Sequence, residues 1–431
     1  MRKTTAESDG GPAPRPGDNA PRLGDIIAGR IDALAALSDE PEQLTRLYLG
    51  PAHRMAVAVV ADWMREAGMS AHVDAVGNVV GRYDGQTLAA PALILGSHID
   101  SVPAAGSYDG TLGVLVAIAA VEQLHASGRR MPFAIEVVAF GDEEGIRFPG
   151  TLTGSRALAG RFEPHLLDEA DRDGISRRQA LIDFGCDVGR IASLARDPTE
   201  VLGYLEVHIE QGPVLETEGR PIGIVTAING ATRGRIVVTG EGGHAGTVPM
   251  HLRRDAMTAA AEMILAIERR AVADDNLVAT VGVLEVRAAA VNSVPAEVSF
   301  TLDVRSPSDE LRLSVVRELQ ATFADIAETR SVQVSMTLTY AAAAAPCDGH
   351  MTRVLAAAIE RAGIDVRYLP SGAGHDALSF KDTFPFAMLF VRCRGGISHH
   401  PDEYASADDI DIAARILADS IAAFVPPDHR T

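Results

Sequence analysis

Side chains that can bind metal follow two short apolar stretches of the chain. One stretch runs into GSHID, which carries His98 and Asp100, and then into YDG, which carries Asp109. The other runs into GDEEG, which carries Glu143 and Glu144. Imidazole nitrogen and carboxylate oxygen are atoms that zinc and similar ions bind in catalytic sites. If both stretches are strands of one sheet, their ends meet at the same edge, and the sequence predicts a metal site there.

Two further histidines extend the predicted ligand set. His208 lies in LEVHIEQG and His399 lies in GISHHPDEY. Five ligands are too many for one open tetrahedral site, but they fit two ions that share the carboxylate of Asp109. In that arrangement His98 and His208 bind one ion. Glu144 and His399 bind the other.

Asp100 is suited to a supporting role, because a carboxylate two residues after His98 can hold the imidazole in one tautomer. Each of these features also has an ordinary explanation when it stands alone. YDG is a common turn, an EE pair is usually solvated, and a lone histidine often packs in a core. Their joint occurrence at strand ends and loops favours the metal site.

Composition narrows the classes of partner. The chain has 431 residues, 58 of them acidic and 39 basic, and a net charge of -19. This charge argues against nucleic acid and against an anionic membrane as partners. The three cysteines are far apart and form no CxxC pair, which indicates reduced thiols and a cytoplasmic protein. No apolar run reaches the roughly 20 residues of a membrane span, and no signal-type segment begins the chain.

Periodicity predicts the fold class, which is α/β. A disordered tail is expected over 1–21, because that segment is rich in Gly, Pro and Ala. Strand, loop, buried helix and strand then alternate, as in an α/β sheet with helices on both faces. We expect this catalytic domain to be discontinuous and to comprise 22–221 and 341–431.

The segment 222–340 is predicted to be an inserted domain, with an alanine-rich linker returning to the first domain. Its expected strands are 235–239, 277–286, 297–304 and 331–340, and its helices are 253–269 and 308–327. Two helices on a small antiparallel sheet are typical of a ferredoxin-like α+β domain.

The motifs GSHIDSV, YDGTLG, GDEEGIRF, LEVHIEQG and GISHHPDEY occur in that order. With this set, the chain resembles the amidohydrolase branch of the dinuclear aminoacylase/carboxypeptidase metallopeptidase family. That branch contains N-carbamoyl-L-amino acid hydrolases, β-ureidopropionases and allantoate amidohydrolases. The resemblance extends from Leu23 to Val425. His400 is a departure from the family pattern, and the match to Ser-His-x-Pro favours His399 as the ligand.

The resemblance implies two divalent ions per subunit, zinc or else manganese, cobalt or nickel. It implies a mixed-sheet, zinc-peptidase-like catalytic domain, and an inserted domain that is a lid and also forms a homodimer. Glu143 matches the family's general base and Glu144 its metal ligand. The implied reaction is hydrolysis of the ureido C–N bond of an N-carbamoyl-L-amino acid or N-carbamoyl-β-alanine, which gives the amino acid, ammonia and carbon dioxide.

Substrate-binding residues are also implied. His244 would reach the active site of the partner subunit and contact the scissile carbonyl, with Asn292 as a second donor. Arg305 ends a predicted strand and can bind a carboxylate through its planar guanidinium. The remaining pocket residues implied by the resemblance are Gln211, Gly374 and His375. Each of the six is also an ordinary loop or surface residue on sequence grounds.

Other functions remain open from the sequence. Allantoate is the second substrate candidate, because it also carries a carboxylate beside a ureido group. An N-acyl amino acid or dipeptide amidase is the third. A non-catalytic metal-binding or scaffold protein is disfavoured by Glu143, because such a protein needs no second carboxylate beside Glu144.

Overall fold

A computed structural model describes residues 22–287 and 290–426. The predicted tail, 1–21, lies outside the described residues. No helix within the described ranges has the length and apolar character needed to cross a bilayer. The helices are α1 (Leu23–Ala35), α2 (Pro51–Glu66), α3 (Thr111–Ala126), α4 (Thr153–Leu158), α5 (Arg177–Phe184), α6 (Val214–Thr217), α7 (Ala256–Val272), α8 (Asp309–Thr329), α9 (Gly349–Arg361) and α10 (Ala407–Ala423).

Strands alternate with these helices along the chain. They are β1 (Ser70–Val73), β2 (Val79–Tyr83), β3 (Ala92–His98), β4 (Ala134–Phe140), β5 (Val201–Ile209), β6 (Ile222–Ile228), β7 (Gly230–Thr239), β8 (Gly243–His244), β9 (Val278–Thr280), β10 (Leu284–Arg287), β11 (Ser293–Val294), β12 (Glu297–Ser306), β13 (Gln333–Ala342), β14 (Ala345–Pro346), β15 (Tyr368–Ser371) and β16 (Phe386–Val391).

A nine-stranded mixed sheet forms the larger part of the molecule. Its order is β1-β2-β4-β3-β5-β16-β6-β14, and β15 pairs with β6. β3 runs parallel to β4 and β5, and β5 runs parallel to β16. The carboxyl ends of these four strands therefore meet at one edge. The predicted mixed α/β fold is confirmed.

Alternate residues of the central strands face opposite sides of the sheet, as the strand period requires. Val137 of β4 belongs to one apolar core, and Val138 belongs to the other. The first core includes α1, α2, α3, α9 and α10, whereas the second includes α4 and a 3-10 helix at Asp376–Phe380. α3 is buried on nearly every side because it lies between the sheet and α1 and α10.

The smaller sheet has the order β10-β12-β7-β13, with β9 also paired to β12. Chain order is strand, helix, two strands, helix, strand, which is a ferredoxin-like arrangement. The single strand expected over 277–286 is divided into β9 and β10. Val283, between them, bonds instead to the backbone and hydroxyl of Thr301.

The boundary expected at residue 222 is wrong. β6 belongs to the large sheet, where Ile224 pairs with Leu389 of β16. All but one of its residues are buried, as in a strand covered on both faces. The start of the domain at 341 is also wrong, because Ala341 and Ala342 still pair with β7. The ferredoxin-like unit therefore runs from Gly230 to Ala342.

Candidate metal centre and active site

The predicted ligands converge at the carboxyl edge of the large sheet. His98 is the last residue of β3, Glu144 follows β4, and His208 is the penultimate residue of β5. Asp109 lies in the turn before α3, and His399 lies in the loop after β16. Parallel pairing of β3, β4, β5 and β16 brings these five side chains together.

His98, Asp109 and His208 form the first ligand group. Both imidazoles direct Nε2 at Asp109 Oδ1, at 3.3 Å from His98 and 3.1 Å from His208. Their Nδ1 atoms lie beside backbone carbonyl oxygens, those of Asp100 at 3.0 Å and Ile209 at 2.9 Å. A carbonyl accepts only from a protonated nitrogen, so Nε2 is the unprotonated nitrogen of each ring, the form that binds metal. In His208 this nitrogen also accepts the Gly110 backbone N–H at 3.3 Å.

Asp109, Glu144 and His399 form the second group. His399 Nε2 lies 3.3 Å from Asp109 Oδ2 and 3.7 Å from Glu144 Oε1. Asp109 therefore presents one oxygen to each group, as a bridging carboxylate would. His400 is directed away, and its Nδ1 accepts a hydrogen bond from the Asp402 backbone N–H at 3.1 Å. The choice of His399 over His400 agrees with this geometry.

The expectation that the Asp100 carboxylate holds the His98 imidazole in one tautomer is wrong. Its carboxylate lies 3.8 Å from His98 Nδ1, whereas its own backbone oxygen lies at 3.0 Å and holds the tautomer. The carboxylate instead accepts the backbone N–H groups of Glu143 and Glu144, at 3.1 and 3.2 Å. Asp100 is thus a positioning residue for the GDEEG turn, and sequence spacing alone does not reveal which of its oxygens faces the imidazole.

The donor set fits divalent cations. In each of the two groups, the ligand atoms lie within 4.8 Å of one another. Burial raises the pKa of Glu143 to about 7 and that of Glu144 to about 8, since the ionised carboxylates are desolvated beside other acids. Divalent ions would neutralise this concentration of negative charge. Mixed imidazole and carboxylate ligands suit zinc and related ions.

Three residues at or beside this site have strained backbone conformations. Asp142, Gln211 and His399 adopt positive φ values of 67°, 57° and 55°. Such conformations cost about 1–3 kcal/mol each in residues other than glycine and cluster at functional sites. Gly110 also has a positive φ, and a Cβ there would lie 2.4 Å from the His98 ring. Only glycine allows the turn bearing Asp109 to approach His98 so closely.

Two buried acids beneath the ligands were not identified from the sequence. Glu403 Oε1 accepts the backbone N–H groups of Tyr108 and Asp109, at 2.8 and 3.0 Å. Its Oε2 accepts from the Ser398 hydroxyl at 2.9 Å. Glu206 accepts from the hydroxyl of Ser97 at 2.8 Å. Glu206 lies two residues before His208 on the same face of β5, so the period of the strand could have identified it. Glu403 lies within GISHHPDEY but is far from Asp109 in sequence.

Replacing Glu403 by leucine is expected to weaken divalent-metal binding by about 10–100-fold, the usual effect of removing a partner that orients a metal ligand. Two buried N–H groups beside Asp109 would lose their acceptor. The measurement is calorimetric titration of the metal-free protein with Zn²⁺. Asp402→Asn is the matched control, because Asp402 is an exposed neighbour. Equal affinities for wild type and Glu403→Leu would contradict the assignment.

Three of the predicted pocket residues lie beside the candidate metal centre. Gln211 donates its amide to Asp109 Oδ2 and Ser398 Oγ, both at 3.0 Å. A Cβ at Gly374 would lie 3.9 Å from Glu143 Oε1, so Gly374 borders that carboxylate. His375 is buried, and its ring centroid lies 4.5 Å from that of His208. These three residues therefore adjoin the candidate metal centre.

The remaining predicted residues lie on the ferredoxin-like unit. His244 on β8 and Asn292 beside β11 are exposed and adjacent, because Ala245 N–H donates to the Asn292 carbonyl at 2.9 Å. Neither side chain is hydrogen-bonded to the five ligands within the described ranges. Arg305 pairs with both oxygens of Asp303, at 3.0 and 2.9 Å, and donates to the Gly372 carbonyl at 2.7 Å.

Fold and site together define a metal-dependent hydrolase with a mixed α/β fold. The family model for peptidase family M20/M25/M40 matches residues 94–423. The chain belongs to this family, whose members are metal-dependent.

Relatives of known name agree in length as well as sequence. The chain is 39% identical over 423 residues to an allantoate deiminase of Arabidopsis thaliana, covering 91% of this chain and 80% of that protein. It is 38% identical over 395 residues to an N-carbamoyl-L-amino acid amidohydrolase of Geobacillus stearothermophilus, covering 91% and 97%. A crystal structure of a hydantoinase/carbamoylase family amidase from Burkholderia multivorans superposes with a TM-score of 0.87 at 32% identity, covering 92% and 97%.

Proposed function

We propose that this protein hydrolyses the ureido C–N bond of an N-carbamoyl-L-amino acid or N-carbamoyl-β-alanine. The products would be the free amino acid, ammonia and carbon dioxide. The observation that carries the proposal is the placement of Glu143 at the sheet edge, where its carboxylate lies with His98 and Glu144 but outside the two groups that share Asp109. Relatives named N-carbamoyl-L-amino acid amidohydrolase support the substrate class.

Two divalent ions, zinc or else manganese, cobalt or nickel, would be held by the two ligand groups. One would be held by His98 and His208, the other by Glu144 and His399, with Asp109 shared. When bound, such ions polarise the substrate carbonyl and lower the pKa of water to about 7.

The protein's own groups then move the proton and hold the charge. Glu143 accepts the proton of the attacking water and returns it to the departing nitrogen, a task suited to a carboxyl with a pKa of about 7. His244 and Asn292 would donate hydrogen bonds to the oxygen that gains negative charge. Arg305 would bind the substrate carboxylate. Gln211 and His375 would line the pocket between them.

Replacing Arg305 by alanine is expected to raise KM for a carbamoyl amino acid by about tenfold or more, with kcat changing less, since a charged hydrogen bond is worth about 1.5–3 kcal/mol. Beside the bonds to Asp303 and Gly372, two of its five N–H groups have no partner among the residues that the structure describes. Steady-state kinetics provide the measurement. Arg233→Ala is the matched control, because Arg233 also pairs with Asp303. An unchanged KM in Arg305→Ala would exclude the carboxylate role.

The ferredoxin-like unit is proposed to act as a lid and to form a homodimer. Met257, Leu265 and Val272 on α7 are exposed by 40%, 51% and 81%, which leaves an apolar stripe on its outer face. His244 and Asn292 lie on an exposed ribbon of the same unit. Both observations suit a surface that a second subunit covers, with His244 reaching into that subunit's site.

Mixing inactive His244→Ala and Glu143→Gln protomers is therefore expected to restore activity. Statistical exchange would give roughly a quarter of the wild-type number of intact sites, because each mixed dimer contains one. Ammonia release after subunit exchange is the measurement, and each variant incubated alone is the control. Mixed dimers verified by mass spectrometry that remain inactive would exclude sharing of His244.

Allantoate is the second candidate substrate, favoured by relatives named allantoate deiminase at 38–39% identity. Metal-dependent release of ammonia from N-carbamoyl amino acids, N-carbamoyl-β-alanine and allantoate, and of free amino acid from N-acyl amino acids, tests both proposals. Release from the ureido compounds supports hydrolysis of this bond. Turnover of the N-acyl compounds alone would instead support an amidase, and turnover of none would support a binding protein.

A cytoplasmic location is proposed as well. Cys186, Cys347 and Cys393 are free thiols in the structure, as expected in a reducing compartment. The net charge of -19 gives no support for nucleic acid as a partner.

A further inference from the structure

The residue before the candidate general base has a strained backbone. Asp142 adopts a φ of 67°, in the left-handed region that residues other than glycine rarely occupy. Glycine would adopt the same conformation without strain. In another residue such a conformation persists only where the surrounding contacts determine it. The contacts of Asp142 therefore decide the shape of the turn that carries Glu143.

Backbone contacts hold this turn on both sides. The Asp142 carbonyl accepts the Leu152 N–H at 2.6 Å, and the Gly141 carbonyl accepts the Gly154 N–H at 3.2 Å. Both donors lie at the start of α4. Beyond Asp142, the N–H groups of residues 143 and 144 donate to the Asp100 carboxylate. The main chain is therefore held before and after Asp142.

The side chain of Asp142 is fully buried and is held by hydrogen bonds of its own. The Thr153 hydroxyl donates to Asp142 Oδ2, and Arg177 Nη1 donates to Thr153 Oγ1. The same Nη1 lies 3.4 Å from Asp142 Oδ2. A guanidinium has only donors, so the hydroxyl hydrogen is available for the carboxylate. These three side chains form the Arg177–Thr153–Asp142 network, which runs from α5 to the GDEEG turn.

The far end of this network is anchored. Arg177 begins α5, its side chain is fully buried, and its Nη2 donates to the Pro149 carbonyl at 2.7 Å and to Glu169 Oε2 at 3.2 Å. Its Cζ lies 5.0 Å from the centroid of the Phe148 ring. Replacing a buried ion pair by apolar residues of similar volume often leaves stability unchanged or raises it. Stability is therefore a poor explanation of the pair between Arg177 and Asp142, whereas control of the adjoining turn is a direct one.

We propose that Arg177 and Thr153 are positioning residues for Glu143. By holding the Asp142 carboxylate, they fix the peptide unit that joins Asp142 to Glu143 and so orient the Glu143 carboxylate for proton transfer. This inference rests on the proposed hydrolase activity. Within the described ranges, none of the three network residues belongs to either ligand group. Loss of the network is therefore expected to lower kcat and to leave metal binding and KM nearly unchanged.

Thr153→Val tests the network, because valine keeps the volume of threonine but lacks the hydroxyl. This variant is expected to lower kcat by about 10–100-fold, since small misplacements of a catalytic group have effects of that size. Zinc content and KM should equal those of the wild type. Thr153→Ser, which keeps the hydroxyl, should restore most of the lost kcat. The measurements are metal analysis, thermal unfolding and steady-state kinetics with a carbamoyl amino acid on one preparation.

Thr232→Val is the matched control. The Thr232 hydroxyl is also buried and also accepts from a buried arginine, Arg312, but this pair lies in the ferredoxin-like unit. Its loss should lower the melting temperature by a similar amount and leave kcat at the wild-type value. A merely structural role for Thr153 predicts the same outcome for both variants.

Asp142→Gly gives a second readout, because glycine adopts the positive φ but offers no carboxylate to the network. It should lower kcat. The double variant Asp142→Gly/Thr153→Val should be no slower than Asp142→Gly alone, since both changes remove the same interaction.

Wild-type kcat in a folded Thr153→Val protein would overturn the inference, as would full additivity of the two changes. Loss of zinc together with kcat would overturn it too, because the network would then support Glu144 rather than Glu143. These results would leave the proposed hydrolase activity intact. A wild type that hydrolyses no ureido compound would contradict that activity, and this inference with it. Should Thr153→Val not fold, Arg177→Lys replaces it with the same expected loss of kcat, because lysine keeps the charge but cannot reproduce the planar guanidinium.

Discussion

Replacing Asp109 by asparagine is expected to abolish divalent-metal binding in both ligand groups and to leave no measurable turnover. Asp109 is the residue common to the two groups, and it presents a different oxygen to each. An amide is neutral and offers one oxygen, so it cannot neutralise and bridge two cations. The metal content of protein purified with Zn²⁺ in excess, measured by mass spectrometry, should fall from two ions per chain to well below one.

Asp74→Asn is the matched control for this change. Asp74 is also buried and also accepts backbone N–H groups, from Val76 and Asn78, but it belongs to neither ligand group. Its replacement should lower stability without altering metal content. Two ions retained by a folded Asp109→Asn protein would show that this residue does not bridge.

Replacing Glu143 by glutamine is expected to leave two ions bound and to lower kcat by about 10²–10⁴-fold, the usual contribution of a general base. The GDEEG turn should keep its shape, because Asp100 holds it through the backbone N–H groups of residues 143 and 144. Glutamine fills the same space but cannot accept the proton of water. Metal analysis and steady-state kinetics on one preparation separate the two effects.

Glu144→Gln provides the contrast, because the neighbouring residue is placed as a ligand of the second group. This variant should lose metal affinity together with turnover. Near-wild-type kcat in Glu143→Gln would remove Glu143 from proton transfer. Loss of metal from Glu143→Gln would show that it is a ligand instead.

The ligand positions could be predicted from the sequence because they depend on local motifs at the ends of apolar strands. His98 ends one strand and Glu144 follows another, and both strands are buried on both faces, so they are recognisable as largely apolar runs. Once the strands are parallel neighbours, their ends must meet. Asp109 and His208 then lie at the same edge of the sheet.

Other features depended on contacts between distant segments. Glu403 reaches the Asp109 turn across nearly 300 residues of chain, and no spacing rule links the two. The sequence places β6 in the ferredoxin-like unit because its Gly and Thr content is similar to that of the strands that follow. The burial of β6 is instead that of a central strand of the large sheet. Strand periodicity does not specify which partner the Arg305 side chain binds, so its pairing with Asp303 could not be predicted.

Two cations are proposed to lie on either side of Asp109. Anomalous diffraction from crystals of the zinc-loaded protein, recorded above and below the zinc edge, locates such ions without reference to activity. Two peaks are expected, one beside His98 and His208 and one beside Glu144 and His399, with Asp109 between them. The absence of peaks at Asp109, together with full hydrolysis of a carbamoyl amino acid after chelation, would contradict this proposal.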